Sequence, residues 1–270
     1  YTGAGLRAAC DAAAALNPGF PNVAGGALVV IPKAFDIGTT NITCGSTDSV
    51  AIEQVGSKPV SLWFLAPGNW TINGVIDMAT RTEVRGLNSA FTRIISTSTT
   101  LPVFRWTSPA ERMYIHDIRI NGGLNAIKTR GTSTSVDVPN LQMERLSLNN
   151  QTGNAVELIN WADASFLRDS IIAGSGGACM RVGIWDNGAT GGATIENSDI
   201  RNIFCTTAGA KGIHFEPTLN TLSWQAAGLT FNNIQCKAAS DCVWYKGGLQ
   251  NSTFSNIMAF DYLPTPVNTF

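Results

Sequence analysis

Charge is the first thing this sequence lacks. Only 14% of its 270 residues are charged, and the formal net charge is −1. Nucleic acids and anionic membranes are bound through clustered Lys and Arg, so neither is expected as a main partner. Long apolar runs are missing too. No stretch of about 18 apolar residues occurs, so no membrane span is expected. No C-x-x-C occurs either, which removes the usual spacing of a zinc site. Yet the chain is 44% hydrophobic, too apolar for disorder. Its length suffices for a large core, as one domain or one repeat array. It begins at Tyr1 without Met, which fits an export signal removed or cropped away.

What is present is Gly, Asn, Ser and Thr, with apolar residues in short runs, the composition of a many-turned β chain. One set of strand patterns reads "VFRW" (103–106), "AIKT" (126–129), "AVEL" (155–158), "CMRV" (179–182), "GIHF" (212–215) and "CVWY" (242–245). A second set lies between them: "IHDIRIN" (115–121), "MERLSLN" (143–149), "FLRDSII" (166–172), "IENSDIRN" (195–202), "GLTFNN" (228–233) and "STFSN" (252–256). The first set recurs about every 23 to 33 residues, a solenoid spacing. The expected fold is all-β, a parallel β-helix in which each strand lies on its counterpart one coil away. Phe104, Ile127, Val156, Met180, Ile213 and Val243 then stack inward. Asn121, Asn149, Asn202, Asn232 and Asn256 follow the second strand, where Asn suits a bend. The alternative is an antiparallel sandwich with coincidental spacing.

One convincing helix, "GLRAACDAAAAL" (5–16), carries Leu6, Cys10 and Ala13 on one side and can cover the open end of an array. "LVVIPKAFDIGTTNI" (28–42) and "LWFLAPGNWTINGVI" (62–76) are alike, and "TEVRGLNSAFTRII" (82–95) follows. This opening, a helix, then "GGALVVIP", "FLAPGNWTINGVI" and "VRGLNSAFTRI", resembles the pectate-lyase-like, right-handed parallel β-helix superfamily. The resemblance covers about residues 5 to 260. It implies a single β-helix domain over 1–270, with an N-terminal cap (1–27), first coils (28–100), regular coils (101–262) and a C-terminal tail (263–270). The superfamily includes polysaccharide lyases, glycoside hydrolases, epimerases and tailspikes. Asn-Thr-Asp, Asp-Asp and Gly-His-Gly, the galacturonase pattern, are absent, so no catalytic residue is carried over.

Proximity in the repeat selects three cysteine pairs, Cys10–Cys44, Cys179–Cys205 and Cys236–Cys242, among the 15 connectivities open to six cysteines. Six buried free thiols are the alternative. An even count in a low-charge, Thr-rich chain favours a secreted, extracellular or cell-surface setting, and counts against a tailspike assembled in a reducing cytoplasm. The four N-x-[ST] sequons, at Asn41, Asn69, Asn150 and Asn251, are no more than chance supplies.

If the first strand set stacks, its outward residues form a column, Arg105, Lys128, Glu157, Arg181, His214 and Trp244, at about 4.8 Å per coil. Two residues further along run Thr107, Arg130, Ile159, Gly183, Glu216 and Lys246. In a chain this poor in charge, such a column points to a groove for an extended polymer. Arg and Lys can take uronate carboxylates, and Trp244 can stack on a sugar ring. The following loops add Trp161, Asp163, Trp185 and Asp186 to the rim. Elimination from a uronate needs a base and a carboxylate neutraliser, roles open to Arg181 and His214 with Lys128 assisting. Hydrolysis needs two carboxylates about 5 to 10 Å apart; Glu157 and Glu216 are candidates near or beyond that limit, with Asp186 as a substitute. No cofactor is required, and Asp163 with Asp186 is the only pairing to suggest calcium. The same alternation of sign also describes a salt-bridge ladder with no ligand. The leading expectation is an extracellular protein that binds, and if active cleaves, an acidic polysaccharide. The alternative is a non-catalytic surface or filament subunit, a homo-oligomer docked through its open C-terminal end.

Overall fold

Seven alanines between Ala4 and Ala15 favour the one helix found among the described residues, Gly3–Leu16. Alanine's high propensity offsets the two glycines. The Thr2 hydroxyl caps it by accepting the Gly5 N–H at 3.1 Å. Leu6 and Cys10 lie one turn apart on its buried face, and Cys10 is bonded to Cys44 in the strand Ile42–Ser46. The computed structural model describes residues 2–16, 27–46, 58–107, 112–130, 140–159, 164–184, 194–207, 209–217, 225–246 and 248–260.

After the helix the described chain is all β, in strands that fall into three stacks. The first holds Ala27–Ile31, Lys58–Phe64, Glu83–Gly86, Met113–His116 and Leu141–Glu144. The second holds Asp36–Gly38, Gly68–Ile72, Thr92–Ser96, Arg119–Gly122 and Ser147–Asn149. Phe166–Ser175, Asp199–Thr207, Thr230–Lys237 and Thr253–Phe260 run through both stacks, first and then second. The third holds Ile42–Ser46, Ile76–Met78, Phe104–Thr107, Ile127–Arg130, Val156–Ile159, Met180–Ile184, Ile213–Pro217 and Val243–Tyr245. Each strand pairs in parallel with its counterpart one unit on; one short antiparallel contact joins Gly45 to Pro59. A further parallel trio, Thr194–Glu196, Gln225–Ala227 and Gly248–Gln250, accompanies the later units. This order is compatible with a β-helix and excludes the antiparallel sandwich.

The inward columns build the core. Ile42, Ile76, Phe104, Ile127, Val156, Met180 and Ile213 follow one another in register and are fully buried, with half-buried Val243 next. Phe64 meets Trp70 and Phe104 edge-on, at 5.3 and 6.5 Å between ring centres. Each such ring, fully buried, contributes about 2 to 3 kcal/mol from area alone. Buried Trp106 donates its indole N–H to the Thr82 hydroxyl at 3.1 Å.

The "IHDIRIN"-type segments each read as one strand in the sequence. In the fold each one bends between the first and second stacks. The bend residues take left-handed backbone: Asp117, Arg145, Asp169, Asn202, Asn233 and Asn256. Of the asparagines expected to bend, Asn202 and Asn256 do so. Asn121, Asn149 and Asn232 are the last extended residues before left-handed Gly122, Asn150 and Asn233. Asparagine amides link three bends, Asn202 donating to Asp169 at 2.7 Å and Asn233 to Asn202 at 3.0 Å.

All three expected disulfides form, and among the described residues no cysteine is free. No described helix is long and apolar enough to cross a membrane. The tail 263–270 and the rim residues Trp161, Asp163, Trp185 and Asp186 lie outside the described residues.

Candidate functional site

Alternation along the third-stack strands turns every second side chain outward. The register places Asp77, Arg105, Lys128, Glu157, Arg181, His214 and Trp244 in a single column. Asp77 is the member that the sequence reading missed, because "INGVI" was not matched to the first strand set.

Its presence changes the electrostatics. Arg105 grips Asp77 with two bonds, Nε at 2.5 Å and a terminal nitrogen at 2.8 Å. This hydrogen bonding holds the guanidinium above its ordinary pKa. Lys128 donates to Glu157 at 3.1 Å, and the amides of Asn125 and Asn154 reach the same carboxylate at 3.1 and 3.2 Å. Burial pushes the Glu157 carboxyl up, but Lys128 and the two amides outweigh it and hold the group below the usual carboxylate range. The upper column is therefore two closed ion pairs.

The lower column differs. Arg181 pairs with no carboxylate among the described residues. Next to it His214 packs edge-on against Trp244, 4.7 Å between ring centres, and its Nε2 lies 3.0 Å from Glu216. Glu216 is two residues along the same strand, and Lys246 approaches it at 3.8 Å. Lys211 sits over the Trp244 indole at 4.1 Å, a cation–π contact. Burial, then the Lys211 charge, depresses the His214 pKa; Glu216 opposes them and Arg181 adds to them. His214 is thus neutral at neutral pH and can accept a proton. Arg181, Lys211 and Lys246 against Glu216 leave this end with a surplus of positive charge.

In the second column, Arg130 lies opposite Thr107, Ile159 opposite Gly183, and Gly183 opposite Glu216. Glu157 and Glu216 are therefore two strand spacings and two residues apart, beyond the reach of a hydrolytic pair at roughly 4.8 Å per strand. Among the described residues no group of three or more His, Cys, Asp or Glu side chains could hold a metal ion.

A second polar cluster, on the first stack, went unread. His116 is 5% exposed, with Nε2 at 2.7 Å from Glu83 and Nδ1 at 2.6 Å from Asp117. Glu83 also accepts the Trp63 indole N–H at 2.6 Å. Arg145 grips Asp117 at 2.7 and 2.9 Å and reaches Glu144, which accepts the Tyr114 hydroxyl. The Arg145 hydrogen bonds, more than His116, hold Asp117 below the usual carboxylate range, against its burial. Burial and Glu144 push the Tyr114 phenol up to about 12. Both His116 nitrogens are engaged, so the cluster ties adjacent strands together and offers a substrate no open imidazole nitrogen. The signal that could have found it is the same period-two alternation, hidden because "IHDIRIN" was read as one strand. No family model, curated protein or solved structure matches this chain.

Proposed function

We propose that this protein is a secreted, right-handed parallel β-helix that binds an acidic polysaccharide along the third stack, at the end formed by Arg181, His214 and Trp244. The observation that carries this reading is the run of an Arg with no carboxylate partner among the described residues, a neutral His and an aromatic ring on three consecutive in-register strands. A polysaccharide repeats along its length as the strands do. The Arg181 fork, which meets no carboxylate among the described residues, can take a uronate carboxylate, and Lys211 adds charge beside the indole. Arg105 and Lys128, engaged by Asp77 and Glu157, contribute less to binding than their number suggests.

The same geometry supports elimination. Arg181 neutralises the uronate carboxylate, which acidifies the sugar C5–H. His214 accepts that proton. The electron pair forms the C4–C5 double bond, and the glycosidic oxygen leaves C4 and takes a proton from water. Lys128 could assist only after release from Glu157.

The test is titration of the protein with polygalacturonate, alginate and hyaluronan at two salt concentrations. Binding weakens with salt, because exposed charges are screened. Arg181→Ala weakens it by about 1 to 3 kcal/mol, the value of a charged hydrogen bond, and leaves thermal stability in place. If the chain is active, unsaturated product accumulates and His214→Ala stops it. Failure of every acidic glycan to bind refutes the reading.

A second reading, a non-catalytic subunit of a surface assembly, is favoured by one observation. Phe254, Met258 and Phe260 on the strand Thr253–Phe260 are each more than 40% exposed. It expects concentration-dependent association in sedimentation, suppressed by Met258→Lys.

A further inference from the structure

Like charges directly opposite on neighbouring strands repel, and such pairs destabilise a sheet. Among the described residues, the outer faces hold two arginine pairs of that kind. Arg168 lies opposite Arg201 in the first stack, and Arg93 lies opposite Arg119 in the second.

The first pair has an internal solution. Asp199 sits two residues before Arg201, accepts from Arg168 Nε at 2.7 Å and forms an ion pair with Arg201 Nε at 3.3 Å. One carboxylate thus bridges two guanidinium groups on adjacent strands.

The second pair has no such bridge. Its column reads Asn69, Arg93, Arg119, Ser147, with no acid in it. The outward neighbours two residues on are Ile95 and Asn121, again in register and again uncharged. Among the described residues, neither Arg93 nor Arg119 forms an ion pair. Arg93 is exposed and Arg119 half-buried, so both forks can be reached from solvent. Two arginines on neighbouring strands, whose backbones are about 4.8 Å apart, are close enough for their guanidinium groups to converge on one oxyanion that accepts from both. Asn69 and Ser147 flank them with neutral hydrogen-bonding groups.

We infer that Arg93 and Arg119 form an oxyanion site, in which a carboxylate, sulfate or phosphate group of a ligand takes the place that Asp199 fills between Arg168 and Arg201. It lies on a different stack from Arg181 and His214 and does not depend on them.

The test is NMR of the arginine Nε–Hε groups, with Arg93→Gln and Arg119→Gln assigning the two signals. Sodium sulfate, phosphate and acetate are titrated at constant ionic strength against sodium chloride. Both signals should follow one saturable curve, and the anion with the tightest curve identifies the group the ligand carries. Removing either arginine should weaken the response of the other at least tenfold. Asn121→Asp should supply the missing bridge, shift the Arg119 signal without added anion, and weaken sulfate binding at least tenfold. Arg181→Ala should leave the titration unchanged, which separates this site from the glycan surface. Equal displacement by chloride, meaning an adventitious ion only, overturns the inference. So do independent curves for the two arginines, or unchanged sulfate binding in Asn121→Asp.

Discussion

The three disulfides close loops of very different length, and that difference can be measured. Their partners are 34, 26 and 6 residues apart in sequence for Cys10–Cys44, Cys179–Cys205 and Cys236–Cys242. The entropy removed from the unfolded chain grows with the logarithm of the loop, which gives about 3.8, 3.5 and 2.2 kcal/mol at 25 °C. All six sulfurs are in the core, from 0% to 8% exposed, so replacing each pair by alanine leaves cavities of similar cost. The differences between double variants therefore isolate the loop terms. Cys179→Ala with Cys205→Ala should destabilise more than Cys236→Ala with Cys242→Ala by about 1.3 kcal/mol, roughly tenfold in the unfolding equilibrium. The assay is urea unfolding followed by tryptophan fluorescence. Before it, mass spectrometry without reduction should show no alkylatable thiol and three linked peptide pairs. The reasoning fails if the six-residue loop proves as costly to open as the other two. Alkylatable thiols in native protein would remove its premise, together with the extracellular setting inferred from it.

Two glycines should respond to alanine with opposite signs. A Cβ on Gly86 would sit 2.1 Å from the Asp117 carbonyl oxygen, a backbone atom that cannot yield, so Gly86→Ala should cost about 3 kcal/mol in urea unfolding. On exposed Gly5 in the helix the nearest neighbour is the Thr2 hydroxyl at 3.4 Å, and Gly5→Ala should stabilise by about 0.5 to 1 kcal/mol in the same assay. Asp77→Asn should free Arg105: calorimetry should show tighter binding of an acidic glycan, with at most about 1 kcal/mol lost in stability. An unchanged affinity would mean that Arg105 does not face the ligand. His214 is neutral in the folded chain, and its folded pKa lies below 6.5. The unfolded chain therefore binds the proton first, and stability present above pH 6.5 falls as pH drops below it. Urea midpoints at pH 7.5 and 5.5 should differ more for the native chain than for His214→Gln.

The third stack was legible in the sequence because its strands are short and alternate cleanly, with one apolar position facing the same column in every unit. Phe104, Ile127, Val156, Met180, Ile213 and Val243 could be aligned by eye, and their outward neighbours came with them. From Met113 on, the first and second stacks were blurred because no Gly or Pro marks the bend between them. Asp117, Arg145 and Asp169 turn the chain there with left-handed backbone, and an arginine carries no turn signal in sequence. Once that bend is missed, two strands merge into one and the outward positions lose their register. This is why Glu83, Tyr114, His116 and Glu144 were not seen to converge. Asp77 was lost differently. Its strand, Ile76–Met78, is only three residues long, too short for alternation to declare itself.

Charge on an outward column says little by itself. Exposed or half-exposed ion pairs stabilise by about 1 kcal/mol or less, so Asp77–Arg105 and Lys128–Glu157 can exist for packing alone. The informative cations are those on outward columns that pair with no carboxylate among the described residues, beside others that do. Arg168 and Arg201 have Asp199, and Arg145 has Asp117. By contrast Arg181, Arg93 and Arg119, which form no ion pair among the described residues, are places where an outside anion has something to add. The prediction with the sharpest sign follows from the contrast. Removing an acid beside a paired arginine, as in Asp77→Asn, should create anion affinity where the protein now has little. Adding one beside an unpaired arginine, as in Asn121→Asp, should destroy it where the protein now has most. If Asp77→Asn raised sulfate binding at Arg93 and Arg119 as much as at Arg105, or Asn121→Asp lowered glycan binding at Arg181 as much as sulfate binding at its own pair, net charge rather than local pairing would govern these surfaces.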